Sequence, residues 1–131
     1  MDQIYRTVID ALVNSCLHGQ GQIAARKLRE GVWNRNADDY TPNPFGEPEW
    51  MRRLDEEWRV VARAQNEMLR RLSPADRELL AEMFCQEFQS GVHESLVVLH
   101  EHRIPPFDSG YEGDPYHDFV GRLDDWEWPA D

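Results

Sequence analysis

The chain has 131 residues, of which 40% are hydrophobic and 30% are charged, and its formal net charge is −11. Length and composition fit one folded domain over residues 1–131 and exclude a largely disordered chain. The negative charge argues against direct binding to nucleic acid or to an anionic membrane, because both are contacted through clustered Lys and Arg.

The N-terminal segment and the cysteines point to a cytoplasmic protein. Asp2, Arg6 and Asp10 interrupt the apolar pattern of the first helix, which therefore lacks the features of a signal peptide. No apolar run approaches the ~18 residues that a membrane-spanning helix needs. We interpret Cys16 and Cys85 as buried thiols, since both fall on apolar faces of predicted helices and cytosolic disulfides are rare; a disulfide or a catalytic thiol is the alternative.

The first 48 residues predict two helices and a loop. Apolar residues recur at three- and four-residue steps over residues 3–18, which predicts an amphipathic helix. A weaker pattern predicts a second helix over residues 22–33. The stretch 34–48 contains three prolines among Asn, Asp and Gly residues, and is predicted to be a loop.

The stretch 49–72 carries a heptad-like pattern on a third predicted helix. Such a stripe suits lengthwise packing against another helix. The partner is either the next helix of the same chain, which would make an antiparallel hairpin over residues 49–102, or a second chain, which would make a homodimer. We call these positions the heptad stripe: Met51, Leu54, Trp58, Val61, Gln65, Met68 and Leu72.

A strong helix start follows immediately. Ser73, Pro74 and Asp76 supply a capping hydroxyl, a proline at the first helical position and a carboxylate at the third. The apolar pattern then continues to about His102, and we predict a kink or break at Gly91.

The segment 103–131 departs from the helical pattern. It holds six of the fourteen aromatic residues, and its eight acids and two arginines give it a formal charge of −6. Its prolines and glycines predict an irregular tail, while its aromatic residues favour order. The tail is expected either to pack across the helices or to form a binding surface.

The sequence GYEGDPYHDFVGRLDDWEWP at 110–129 resembles the C-terminal part of a family of small bacterial proteins of unknown function. The resemblance covers roughly residues 73–129 and implies no activity. Within it, Arg122 could pair with Asp118 or Asp125, and an extended chain would point Trp126 and Trp128 to opposite sides. Aromatic and Arg side chains dominate protein interfaces, so we predict these binding residues: Tyr111, Tyr116, Arg122, Trp126 and Trp128.

A metal site is the alternative. His93 and His100 are seven residues apart and share a helix face, although this spacing is not the i, i+4 spacing of two histidines in a helical zinc site. The pair His117-Asp118, with His93 before it and two acids after it, resembles the H…HD…D order of metal-dependent HD phosphohydrolases. The metal-site alternative takes His93, His100, His117 and Asp118 as its ligands. In the HD family the His-Asp pair lies on a helix and the last acid lies much further along the chain, so its metal roles do not transfer to this sequence.

These observations predict an all-α fold: an antiparallel helical hairpin or small bundle with an irregular aromatic tail. The favoured function is a non-enzymatic, cofactor-free regulator or inhibitor. It would mask a surface of a cytosolic protein such as a transcription factor or a defence or toxin protein, whose surface is basic. The alternatives are a small metal-dependent hydrolase and a mimic of DNA charge.

Overall fold

The computed structural model describes residues 3–38, 45–106 and 113–130. Over these ranges the chain is all helical and contains no strand, which confirms the predicted fold class. The helices are α1 (Gln3–His18), a 3-10 turn (Gln20–Gln22), α2 (Ile23–Glu30), α3 (Glu49–Arg71), α4 (Pro74–Glu101) and α5 (Pro115–Leu123). No helix in the described ranges is long and apolar enough to span a membrane.

The chain divides into two compact units. We call Met1–Ile23 together with Met83–Asp131 the terminal unit, and Ala24–Glu82 the central unit. Helix α4 contributes its first part to the central unit and the remainder to the terminal unit. The single domain 1–131 stays a prediction.

The start of α4 is built as the sequence predicts. The Ser73 hydroxyl accepts a hydrogen bond from the backbone N–H of Asp76 at 3.1 Å, and Pro74 occupies the first turn. The predicted break at Gly91 is wrong, because α4 continues through this residue to Glu101. Gly91 is exposed, and a Cβ placed there would meet no atom within 4 Å, so no close packing requires a glycine.

The core of the terminal unit contains large side chains from three helices. Phe119 and Ile9 are completely buried, and Leu96 is 2% exposed. At Gly21 the chain passes so close to α1 and α4 that a Cβ would lie 2.7 Å from the Cys16 carbonyl oxygen. The buried core residues are Tyr5, Ile9, Val13, Cys16, Leu96 and Phe119.

Both cysteines are free in this unit, and no disulfide joins them. Cys16 is buried, and burial raises the pKa of its thiol because the charged thiolate would lose solvation. Cys85 is half-buried, with Sγ 3.7 Å from the carbonyl oxygen of Gly21. The interpretation as a buried thiol is therefore confirmed for Cys16, whereas Cys85 is a free thiol that is only partly buried.

The central unit has a thinner core. Among the described residues of this unit, 24–38 and 45–82, six apolar residues are buried: four are alanines, at positions 25, 37, 62 and 81, and the other two are Leu28 and Leu69. The buried Asn66 holds the segment after α2: its Oδ1 accepts from the backbone N–H groups of Trp33 and Asn34, and its Nδ2 donates to the Asn34 carbonyl. Gly31 has a φ of +76°, which ends α2 in the left-handed region.

The heptad stripe is not the face that α3 buries. Its side chains Met51, Leu54, Trp58, Val61 and Met68 are all exposed, at 37–56%. The buried positions of α3 are Ala62, Asn66 and Leu69, which follow Val61, Gln65 and Met68 by one residue. One residue turns a helix by about 100°. The interpretation of the stripe as packing within the chain is therefore wrong for these exposed positions.

The tail is not irregular throughout. Residues 115–123 form α5, for which Asp114 is the N-cap and Pro115 stands in the first turn. The Asp114 carboxylate accepts a hydrogen bond from the backbone N–H of His117 at 3.0 Å. The fifth helix thus begins with the same combination of cap and proline that begins α4.

Candidate binding site in the terminal unit

Helix α5 is fixed to the core by two adjacent residues that point inward. Phe119 is completely buried, and Asp118 is 6% exposed. The Tyr5 hydroxyl of α1 donates a 2.5 Å hydrogen bond to the Asp118 carboxylate. A buried carboxylate needs such a donor, because an unsatisfied charge in the core is strongly unfavourable. This pair therefore sets the position of α5 against α1.

The segment after α5 is attached to α1 through Asp10. The Nε of Arg122 donates to one carboxylate oxygen at 2.8 Å, and the indole N–H of Trp128 donates to the other at 3.0 Å. The Trp128 ring also meets the ring of Tyr5 edge to face, at 6.0 Å between centroids. Arg122 donates a second bond to the Trp126 carbonyl. Arg122 and Trp128 thus hold the segment after α5 against α1.

These contacts correct two expectations about the tail. Arg122 pairs with Asp10, where Asp118 or Asp125 was expected. Trp126 and Trp128 do not point to opposite sides, since their ring centroids are 5.4 Å apart. Asp10 was missed because sequence separation hides the pairing: it lies 112 residues from Arg122.

The predicted binding residues are therefore distributed unequally. Trp128, Arg122 and Tyr116 are half-buried and serve structural contacts, whereas Trp126 is 40% exposed. Tyr111 lies outside the described residues. Of the predicted set, Trp126 is the described residue with the most surface free to meet a partner.

The histidines group around an aromatic ring. The Tyr116 ring meets His93 and His100 of α4 edge to face, each at 5.7 Å, and lies 4.7 Å from the ring of His117. Asp114 and Glu101 raise the pKa of the Tyr116 phenol, since negative charge nearby disfavours the phenolate. His117 Nδ1 lies 2.9 Å from the Asp114 carboxylate.

The four residues of the metal-site alternative lie on α4 and α5. His117 and Asp118 do lie on a helix, although Asp118 is turned into the core toward Tyr5. His93 and His100 face the Tyr116 ring. Within residues 3–38, 45–106 and 113–130, no three His, Cys, Asp or Glu side chains converge as metal ligands.

An open cleft lies between α4 and α5. Its volume is about 620 Å³, and its apolar part is formed by Phe119, Val120 and Leu123 of α5. Two carboxylates line it, Glu94 from α4 and Asp124 from the end of α5. The side of the cleft formed by α4 carries these polar residues: Gln86, Gln89, Ser90 and His93.

The terminal unit carries almost all of the charge of the protein. Its sequence contains thirteen acids and three arginines, a formal charge of −10, whereas twelve acids and eleven bases leave the central unit at −1. A cleft with an apolar floor and two carboxylates in so acidic a unit is suited to a long cationic side chain. Sequence reasoning missed the cleft because its walls come from segments about 30 residues apart.

One comparison with known proteins gives a match. The model of a family of unknown function, DUF6547, matches residues 1–130. The chain belongs to this family. No curated protein and no solved structure matches the chain. The family relationship thus covers nearly the whole sequence, and any function has to be argued from the site itself.

Proposed function

We propose that the protein is a non-enzymatic binding protein that regulates or inhibits a cytosolic partner by covering a basic surface. The observation that carries the proposal is the cleft between α4 and α5 in a unit of formal charge −10. A transcription factor or a defence or toxin protein is the class of partner that we favour. No cofactor takes part in this function.

The cleft offers complementary groups to an Arg or Lys side chain of the partner. Glu94 and Asp124 accept hydrogen bonds from the cationic head, while Val120 and Leu123 contact its aliphatic stem. Trp126, which is 40% exposed, adds an aromatic contact on the same unit. The excess of negative charge speeds the encounter with a basic surface and makes binding sensitive to salt.

Mimicry of DNA charge is a second candidate. Glu87, Glu94 and Glu101 are exposed and follow one another at seven-residue steps on α4, so they form a row of carboxylates spaced by about 10 Å. Such a row suits a partner whose basic residues also lie in a row, as on a DNA-binding face. Competition between this protein and duplex DNA for the captured partner would distinguish this candidate from a general regulator.

Affinity capture with matched charge variants tests the proposal. The double variant Glu94→Gln/Asp124→Asn should weaken capture of the partner from host lysate by at least about tenfold, because both charged acceptors are lost. The control Glu30→Gln/Asp76→Asn makes the same change of charge on exposed positions of the central unit outside α3 and should capture normally. Equal capture by both variants would contradict the cleft as the binding site.

Three finer expectations belong to the same proposal. We propose a cytoplasmic location, on the composition and on the two free cysteines, Cys16 and Cys85. We also propose a bacterial origin for the family. The segment at 110–129 would be its characteristic motif, since it supplies the cap of α5, Asp118, Phe119, Arg122 and Trp128.

A further inference from the structure

The central unit exposes an apolar stripe along most of α3. Leu54, Trp58 and Val61 are 56%, 49% and 56% exposed, and Met51 and Met68 extend the stripe toward the two ends of the helix. Trp50, which is 60% exposed, lies one turn before Leu54 and widens it. Isolated exposed apolar residues are common, but a continuous stripe of this kind marks a contact surface.

The size of the stripe suits pairing between two proteins. From Trp50 to Met68 it is about 27 Å long at the standard helical rise. Side chains of this type at the observed exposures offer on the order of 500 Å² per copy, which approaches the lower limit of about 1,000 Å² in total for a specific interface. The alanine-rich core of the central unit gives a further reason, since few of its large apolar residues are buried within the chain.

Charge along α3 indicates which partner fits. The first nine residues, 49–57, carry four acids and two arginines, a net charge of −2. The remaining fourteen, 58–71, carry four arginines and one glutamate, a net charge of +3, which Asp38 of the same chain lowers to +2 through its ion pairs with Arg63 and Arg70. A second α3 lying antiparallel would place each acidic half beside a basic half, whereas a parallel one would place like charges together.

We propose that α3 pairs in antiparallel orientation with α3 of a second copy of this chain, through the exposed heptad stripe. The unit that holds α3 has a formal charge of only −1, so two such units approach without strong repulsion. A two-fold contact of a surface with itself is also the commonest form of protein oligomer.

The extent of the exposed positions gives the register of the pair. We place its centre between Trp58 and Val61, the middle of the exposed part of the stripe at 51–68, so each Trp58 packs on Val61 of the other copy, and each Met51 on Met68 of the other copy. The one polar residue of the stripe, Gln65, is already used within its own chain, where it accepts a hydrogen bond from the Asn34 side chain at 2.8 Å. Its methylene groups then lie against Leu54 of the second copy.

Two neighbouring valines provide a matched test. Val61 lies on the stripe and is 56% exposed, whereas Val60 is 67% exposed and lies about 100° away around the helix. Light scattering at micromolar concentration should give a dimer mass for the wild type and for Val60→Asp. Val61→Asp should weaken the dimer by at least about 100-fold and give a monomer, because it would bury a carboxylate without a partner.

Several outcomes would overturn the proposal. A monomeric wild type would do so, as would a dimer that Val61→Asp leaves intact or one that both aspartate variants abolish equally. Circular dichroism should show that both variants keep the helical content of the wild type. If Val61→Asp failed to fold, Val61→Glu or Val61→Lys would replace it, and a folded monomer of either variant would support the proposal.

Oxidative crosslinking tests the orientation. A mixture of Met51→Cys chains with Met68→Cys chains should form crosslinks between the two different variants, since these positions face each other in the antiparallel pair. Met51→Cys alone should not crosslink to itself through position 51, whose two copies would lie near opposite ends. Peptide mass spectrometry identifies the linked positions and separates them from Cys16 and Cys85. Efficient 51-to-51 linkage would show a parallel pair and contradict the proposal.

Discussion

The terminal and central units differ in charge and in where their large apolar side chains lie. The terminal unit buries Phe119, Ile9 and Leu96 and carries a formal charge of −10. The central unit is almost neutral, and most of its described buried apolar residues are alanines, while Trp50 and Trp58 remain exposed. A hydrophobic core and a hydrophobic interface draw on the same kind of residue. The terminal unit also exposes large apolar side chains, such as Ile4 and Met83, but those of the central unit lie in a stripe along α3.

The two units therefore offer different kinds of interaction. In our proposal the acidic unit supplies long-range attraction and a cleft for a cationic group, while Phe119 and Trp128 fix α5 and the chain end to the core. In our proposal the central unit contributes the exposed apolar stripe of α3, and the acidic half of this helix lies beside the basic half of α3 in a second copy. Each of the following predictions tests one side of this contrast, beginning with the largest expected effect.

The first prediction compares a buried and an exposed aromatic residue. Phe119→Ala should lower the free energy of unfolding by about 3–5 kcal/mol, because it removes a completely buried ring and leaves a cavity. Trp58→Ala should change it by less than about 0.5 kcal/mol at concentrations at which the protein is monomeric. Urea denaturation followed by circular dichroism measures both values. A larger loss for Trp58→Ala than for Phe119→Ala would reverse the comparison.

The second prediction separates the two tryptophans of the chain end. Trp128→Ala should cost roughly 2 kcal/mol of stability, since it removes the indole hydrogen bond to Asp10 and the contact with Tyr5. Trp126→Ala should cost less than about 1 kcal/mol and should instead weaken partner capture. Thermal unfolding and affinity capture on the same two variants provide the measurements. The assignment fails if Trp126→Ala destabilises the fold more than Trp128→Ala does.

Local signals in the sequence predicted most of the helices. The first helix was expected over residues 3–18, and α1 is Gln3–His18; the third was expected over residues 49–72, and α3 is Glu49–Arg71. Ser73 and Pro74 located the start of α4 for a local reason, namely that a cap and a proline act on their own backbone. Asp114 and Pro115 carry the same signal for α5, but the surrounding glycines and prolines concealed it.

Features that depend on distant residues could not be predicted in this way. The periodicity of α3 shows that an apolar stripe exists but not what covers it, and the chain buries Ala62, Asn66 and Leu69 on an adjacent face. The partners of Asp10 and Asp118 lie more than 100 residues away in sequence. The cleft required both α4 and α5 to be placed, so its carboxylates Glu94 and Asp124 had no sequence signature.

The last prediction concerns the local effect of the acidic charge in the terminal unit. The Asp114 carboxylate, aided by some burial and by Glu101, raises the pKa of the Tyr116 phenol above its ordinary value of 10. The neutral phenol is thus favoured in the folded protein. Its contribution to stability is complete at a pH below the pKa that Tyr116 has in the unfolded chain, and it is lost as the pH rises through the higher pKa that Tyr116 has in the folded protein. Absorbance at the phenolate band, as the difference between wild type and Tyr116→Phe, follows this residue alone.

Three variants decide whether nearby charge is the cause. Asp114→Asn should lower the Tyr116 pKa most, because it removes the largest cause while asparagine still caps α5. Glu101→Gln should lower it less, and Glu56→Gln, on an exposed position of the central unit, should leave it unchanged. A wild-type Tyr116 that titrates at or below 10, or an equal response to all three variants, would show that the acids of the terminal unit do not act on their neighbours in this way.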